Sequence, residues 1–370
     1  MVRARLIAVV SGLVGSAEAY GPSIVGLPGR RFLTQRTDGE LIVVPLDDSF
    51  RVQVEAAIRF PAPWPRRRGS WALVPDAGTV VFAGVHAVRA VDTSGAVCWE
   101  MRHGCWQDSC REIHQSYDEY ADRPDHRYPK GGSAGFSADG SIVWAHVRSA
   151  VPDKELGENN SGEEWLVLNA GDGRVLARAD ARAVSEGSDH LPHPADPAQM
   201  GLSIGEGQDG APVRWGRWDG ERLTVEYIED DVSLLDSSPS GGRLLSVSHD
   251  QATLTVRPTY GDPESNRFDL DCAAVVPLHP DVEADSDEAA VYWDWAGGFI
   301  DEGTVIGSTI ESDGWSAEGR HWLIDSSGSH PVTQVVYPSP VSGMPVALGD
   351  GAWYTGESGK LHVWALETEV

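Results

Sequence analysis

Residues 71–101 decide how this chain is read. Trp71-Ala72-Leu73-Val74 runs into Asp76-Ala77-Gly78, and Thr79-Val80-Val81-Phe82-Ala83 follows. His86-Ala87-Val88-Arg89-Ala90-Val91 leads into Asp92-Thr93-Ser94-Gly95, and Ala96-Val97-Cys98-Trp99-Glu100-Met101 closes the unit. Four short runs of apolar and β-branched residues, separated by Asp/Ser/Gly turns, describe a four-stranded antiparallel sheet. Val80-Val81-Phe82 is apolar on both faces, so this sheet needs a neighbour on each side.

The same rhythm recurs along the chain. Asp139-Gly140 and Gly171-Asp172-Gly173 fill the two turn positions of one unit, and Asp219-Gly220 closes a hairpin in the next. Ser238-Pro239-Ser240-Gly241-Gly242, Asp301-Glu302-Gly303, Ser326-Ser327-Gly328 and Gly349-Asp350-Gly351 continue it, and Pro28-Gly29 and Asp38-Gly39 begin it. The units cover about 20–58, 69–101, 131–180, 190–228, 232–270, 291–337 and 341–368. The last has only three strands, and residues 3–10 supply a spare one. Completing the final sheet with the first strand removes both open edges. The expectation is an all-β chain, residues 1–370 forming one seven-bladed β-propeller closed by its N-terminal strand.

Val88-Arg89-Ala90-Val91-Asp92-Thr93-Ser94-Gly95-Ala96-Val97-Cys98-Trp99 resembles the third-strand, turn, fourth-strand signature of quinoprotein-type (PQQ-like) repeats. Phe136-Ser137-Ala138-Asp139-Gly140-Ser141 is similar to the opening of a WD40 blade. The resemblance to the WD40/quinoprotein-like propeller group implies the fold and leaves activity to the site. Trp218-Asp219 and Trp293-Asp294 do not occupy the WD40 signature position, and the adjacent cysteine pair of quinoprotein dehydrogenases is absent. No cofactor-binding residues follow from it.

The formal net charge is −27. Such a surface repels phosphate backbones and anionic lipid, so neither nucleic acid nor membrane is an expected partner. A soluble, cytoplasmic monomer with a protein partner is expected. Arg3 and Arg5 before Leu6-Ile7-Ala8-Val9-Val10, with Ala17-Glu18-Ala19 beyond, also fit a signal peptide over 1–19 and hence secretion. The repeat count favours a strand there.

In an antiparallel four-stranded unit, the second-to-third loops and the connections between units share one side. The long insertions 102–130, 148–163, 181–198, 271–290 and 310–319 are assigned to that side, which makes it the working face. His103, His114, His126, His190, His193 and His279 lie in those insertions, and His86, His146, His249, His321 and His362 at strand ends pointing the same way. Trp106, Tyr117, Tyr120, Tyr128 and Trp315, with His190 and His193, are the candidate partner-binding residues.

One local constellation carries chemistry: His103-Gly104-Cys105-Trp106, then Cys110-Arg111-Glu112-Ile113-His114. Read as a short helix over Ser109–Tyr120, it puts Cys110 and His114 on one face. Cys105, Cys110, His103 and His114 could hold zinc or another divalent metal; a Cys105–Cys110 disulfide also fits, as does a pair of buried thiols, the ordinary state of free cysteine. The acidic run Asp281, Glu283, Asp285, Asp287, Glu288 lacks the spacing of a calcium loop. Neither a phosphate-cradling loop, a nucleophile elbow nor a His-Glu-x-x-His motif is present, so catalytic residues cannot be assigned. The reading is a non-enzymatic interaction propeller. The alternative is a metal-dependent lyase or hydrolase acting on a sugar-like substrate, its histidines converging on an axial funnel.

Overall fold

A computed structural model describes residues 1–15, 19–27, 29–108, 110, 112–150, 161–260, 266–279, 290–311, 320–326 and 332–367. Strand β1 is Val2–Ser11. Five four-stranded sheets follow in chain order. The first holds β2 (Ser23–Leu27), β3 (Arg30–Arg36), β4 (Glu40–Leu46) and β5 (Ile58–Pro61). The second holds β6 (Gly69–Leu73), β7 (Thr79–Gly84), β8 (Ala87–Asp92) and β9 (Val97–Arg102). The third holds β10 (Ala134–Phe136), β11 (Ile142–Arg148), β12 (Glu163–Asn169) and β13 (Val175–Asp180). The fourth holds β14 (Gly187–Pro192), β15 (Gln199–Gly205), β16 (Val213–Trp218) and β17 (Leu223–Glu229), and the fifth β18 (Val232–Ser237), β19 (Arg243–Ser248), β20 (Thr253–Pro258) and β21 (Phe268–Asp271).

The remaining strands are β22 (Val291–Phe299), β23 (Thr304–Glu311), β24 (Arg320–Asp325), β25 (Thr333–Val336), β26 (Val346–Ala347), β27 (Ala352–Glu357) and β28 (Lys360–Leu366). They form one eight-stranded sheet in the order β22-β23-β24-β25-β1-β28-β27-β26. β1 lies antiparallel to β28 from Ala4 opposite Leu366 to Ser11 opposite Lys360. Its join to β25 is parallel and short, Val2 with Val335 and Arg3 with Val336. The chain is therefore all-β and propeller-like.

The core lies between sheets. Val81, Val88 and Trp99 of the second sheet interlock with Phe136, Val143 and Leu166 of the third, and Trp144 and Trp165 of the third with Met200 and Leu202 of the fourth. Val10, Ala352, Tyr354 and Val363 pack on Ile24 and Leu33, so the last sheet meets the first. That interleaving explains why inner strands such as Val80-Val81-Phe82 carry no polar face.

A recurring anchor appears only in the structure. Trp165, Trp215, Trp322 and Trp364 each lie on the third strand of a four-strand run and are buried. Three donate the indole N–H to the adjacent second strand: Trp215 to Gln199 Oε1 at 2.8 Å, Trp322 to Thr309 Oγ1 at 3.0 Å and Trp364 to Thr355 Oγ1 at 3.0 Å. Trp165 donates to His190 Nε2 of the next sheet at 2.9 Å. Each side chain fills the inter-sheet layer and satisfies its own polar atom.

Two sequence expectations change. Residues 187–192 are strand β14, so 181–198 is not one insertion. Its first part joins the third sheet to the fourth, while His193 sits in the first-to-second turn of the fourth, on the opposite side. Among the described residues of 109–120, only Tyr117–Glu119 is helical, a single 3-10 turn. Most of 148–163, 271–290 and 310–319, including Trp315 and the acidic run, lies outside the described residues.

Candidate metal centre

The 102–130 insertion leaves β9 and returns at β10. Its entry is fixed by the backbone: His103 N–H donates to His86 O at 2.9 Å, Trp106 N–H to Val85 O at 3.0 Å and Gly104 N–H to Arg148 O at 3.0 Å. These bonds continue the second sheet upward and tie it to the third. Gly132 allows the return, because a Cβ there would stand 2.0 Å from His146 O and 2.7 Å from the Trp106 ring. Trp106, at 1% exposure, covers Val85, and Cys105, Cys110 and Tyr120 complete a small buried core. The insertion is thus a miniature folded unit on the rim of the second and third sheets.

Within this unit Cys105, Cys110, His114 and His126 converge, with one donor atom of each inside 4.8 Å of the others. All four side chains are buried. Cys105 Sγ lies 3.4 Å from His126 Nε2, and Cys110 Sγ lies 3.4 Å from His114 Nε2. No disulfide joins the two cysteines. The backbone N–H groups of Gln107 and Glu112 donate to Cys105 Sγ and Cys110 Sγ, each at 3.4 Å. Each sulfur therefore receives an amide from two residues further on, an arrangement that stabilises negative charge on it.

The outward ring nitrogens face carboxylates. His114 Nδ1 has Glu119 Oε2 at 3.3 Å and Glu112 Oε2 at 3.7 Å, and His126 Nδ1 has Asp125 Oδ1 at 3.1 Å. The Asp125 contact is at ion-pair distance but falls off the hydrogen-bond line. Arg123 bonds Glu112 at 2.9 Å and Asp125 at 3.0 Å, bracing two of these carboxylates. Burial raises the Cys105 thiol well above its ordinary value, so ionising it here requires a compensating cation.

His103 does not join this group. Its Nδ1 is 2.8 Å from Gly104 O, its ring packs on Trp106, and burial holds its imidazole down at about 4. Spacing pointed to His103 because it stands two residues before Cys105. The fourth member is His126, brought back by the turns over 115–125, a closure that local spacing does not reveal.

The candidate partner residues separate by burial. Trp106, Tyr120 and His193 are buried, at 1%, 1% and 4% exposure, and cannot meet a partner. Tyr120 instead donates or accepts with His86 Nδ1 at 2.7 Å and stacks on His126. Tyr117 and His190 are half-buried. Tyr128 is 81% exposed, with the Arg127 guanidinium over its ring.

Among the described residues the histidines fall into separate groups. His86, in the turn between β7 and β8, packs on His114 of the insertion, and His114 packs on His126. His146 and His190 share a Ser133–Ser188 hydroxyl pair, with Glu163 on the far side of His146. His321 bonds Tyr337 and Gly343, and His193 bonds Tyr260 on the opposite side.

Fold and centre together define an all-β, propeller-like chain whose 102–130 insertion holds a Cys2His2 cluster. No protein-family model and no curated protein sequence matches the chain. Among solved structures, the WD40 domain of Neurospora crassa Pan2 aligns over 99% of this chain and 96% of its own at a TM-score of 0.51 and 11% identity. Hydrazine synthase of Kuenenia stuttgartiensis aligns over 95% and 97%, with TM-score 0.51 and 11% identity. A prolyl endopeptidase aligns at TM-score 0.53 and 12% identity over 95% of this chain, which spans 51% of that structure. At these identities the likeness is one of fold alone, that of propeller structures such as the Pan2 WD40 domain. Among the described residues, no helix is long and apolar enough to cross a membrane.

Proposed function

We propose that the chain is a seven-bladed propeller that works as a non-catalytic interaction platform for a protein partner. The eight-stranded sheet divides naturally at its two-residue parallel join, giving β22–β25 as one blade and β26–β28 with β1 as another. The observation that carries the functional reading is the insertion itself. It spends a buried core of its own on holding Tyr128 and Arg127 outward at the rim, where Arg68 of the neighbouring connection donates to the His126 and Arg127 carbonyls. An exposed aromatic beside a guanidinium has the makeup of an interface anchor. The partner sits on the side that bears 102–130 and the 181–186 connection, where Val184 is 61% exposed. Four cysteines with no disulfide among them fit a cytoplasmic protein. The metal-dependent enzyme has no such support: the four donors are enclosed by protein, and the histidines are dispersed.

The test is affinity capture from the source cell with the full chain. The double variant Arg127→Glu/Tyr128→Ala should lower recovery of a specific partner by about tenfold or more, as loss of an anchor does. Val54→Glu, on the opposite side and 61% exposed, should leave recovery unchanged. Equal recovery with all three proteins removes this reading.

A further inference from the structure

We propose that Cys105, Cys110, His114 and His126 form a structural zinc site that folds the 102–130 insertion. This deepens the platform reading without depending on which partner binds.

Zinc takes sulfur at about 2.3 Å and imidazole nitrogen at about 2.0–2.1 Å in tetrahedral sites, which sets neighbouring donors about 3.4–3.8 Å apart. The two sulfur–nitrogen pairs at 3.4 Å already meet that spacing. The others lie within 4.8 Å, so the shell closes by side-chain adjustments of about an ångström or less. Two thiolates and two imidazoles are a borderline-soft set, which selects zinc over magnesium or calcium.

The surroundings match a metal rather than two idle thiols. Amide donors to both sulfurs stabilise thiolate, the Glu119 carboxylate hydrogen-bonds His114 Nδ1 and so orients that ring with Nε2 inward, and the Asp125 carboxylate stands at ion-pair distance behind His126. A buried thiol pair needs none of these. Four protein donors in a buried shell leave no open position for water or substrate, so the ion is structural. The insertion also needs it. Its own apolar core is four buried residues packed on Val85, two of them the cysteines themselves, too little apolar surface to order some thirty residues unaided. Binding deprotonates the ligands and couples metal affinity to folding of this segment.

The experiment measures metal in the full-length protein purified with reductant and without chelator. About one equivalent of zinc per chain is expected. Replacing it with cobalt(II) should give the intense visible bands of a tetrahedral thiolate–imidazole site. His126→Ala and Cys110→Ser should each lose most of the bound metal, whereas His103→Gln should retain it. Should a variant fail to fold, titration of the chelator-stripped wild-type chain with cobalt(II) decides alone. A reduced, folded chain that takes up neither zinc nor cobalt, or a Cys105–Cys110 disulfide in protein isolated from reducing cytosol, overturns the proposal. Partner capture by the zinc-loaded wild-type chain is scored separately, so the platform reading can fail while the metal site stands.

Discussion

Gly132 shows how much a single residue carries here. The chain returns from the insertion against the His146 carbonyl and the Trp106 ring, in a space with no room for a methyl group. Gly132→Ala should therefore destabilise the protein by about 1–3 kcal/mol, the usual range for overpacking. Adjacent Gly131, with nothing within 4 Å of a Cβ, should accept alanine with little change. Urea midpoints of the two variants check this, and equal midpoints would mean that the return is not tightly packed. Trp322 belongs to the same scale. Trp322→Phe removes the N–H donated to Thr309 and should cost about 1 kcal/mol from that bond alone.

At the scale of elements, β1 matters most. It covers the β28 edge from Ala4 to Ser11 and buries Val10 at 1% exposure against the first sheet. Deleting residues 2–11 should uncover a long row of unpaired backbone groups on β28 and cause self-association. Light scattering after gel filtration would report it, and a monodisperse truncated monomer would show that β1 is dispensable. The strand was legible in the sequence because the last unit lacked a fourth run and residues 3–10 supplied an apolar one. The insertion was legible only in part. Cys110 and His114 are four apart and suggested a helix, yet turns bring them together, and His126 arrives from a distance that local periodicity does not encode.

Across the whole molecule, pH tests the burial of polar groups away from the cluster. Burial holds the His190 imidazole down at about 3 and His321 at about 4, against about 6.5 in an unfolded chain. Both are neutral when folded and gain protons on unfolding below that value. Their contribution is complete above pH 6.5 and is lost as pH falls toward 4, each adding a slope of up to about 1.4 kcal/mol per pH unit. Urea unfolding at pH 7 and pH 5 should show lower stability at pH 5, and His190→Gln/His321→Gln should flatten that dependence. An unchanged slope would mean that these rings are hydrated. The sequence by itself determined the strand rhythm, the all-β class and the spare strand at the end of the count, because alternation and turn chemistry are local and repeat in every unit. Only the tertiary structure decided which donors meet, that His126 replaces His103, that His193 faces the other way and that Trp106 and Tyr120 are core. Those outcomes depend on where loops close in three dimensions, and loop closure is set by packing against neighbouring sheets rather than by the residues of the loop alone.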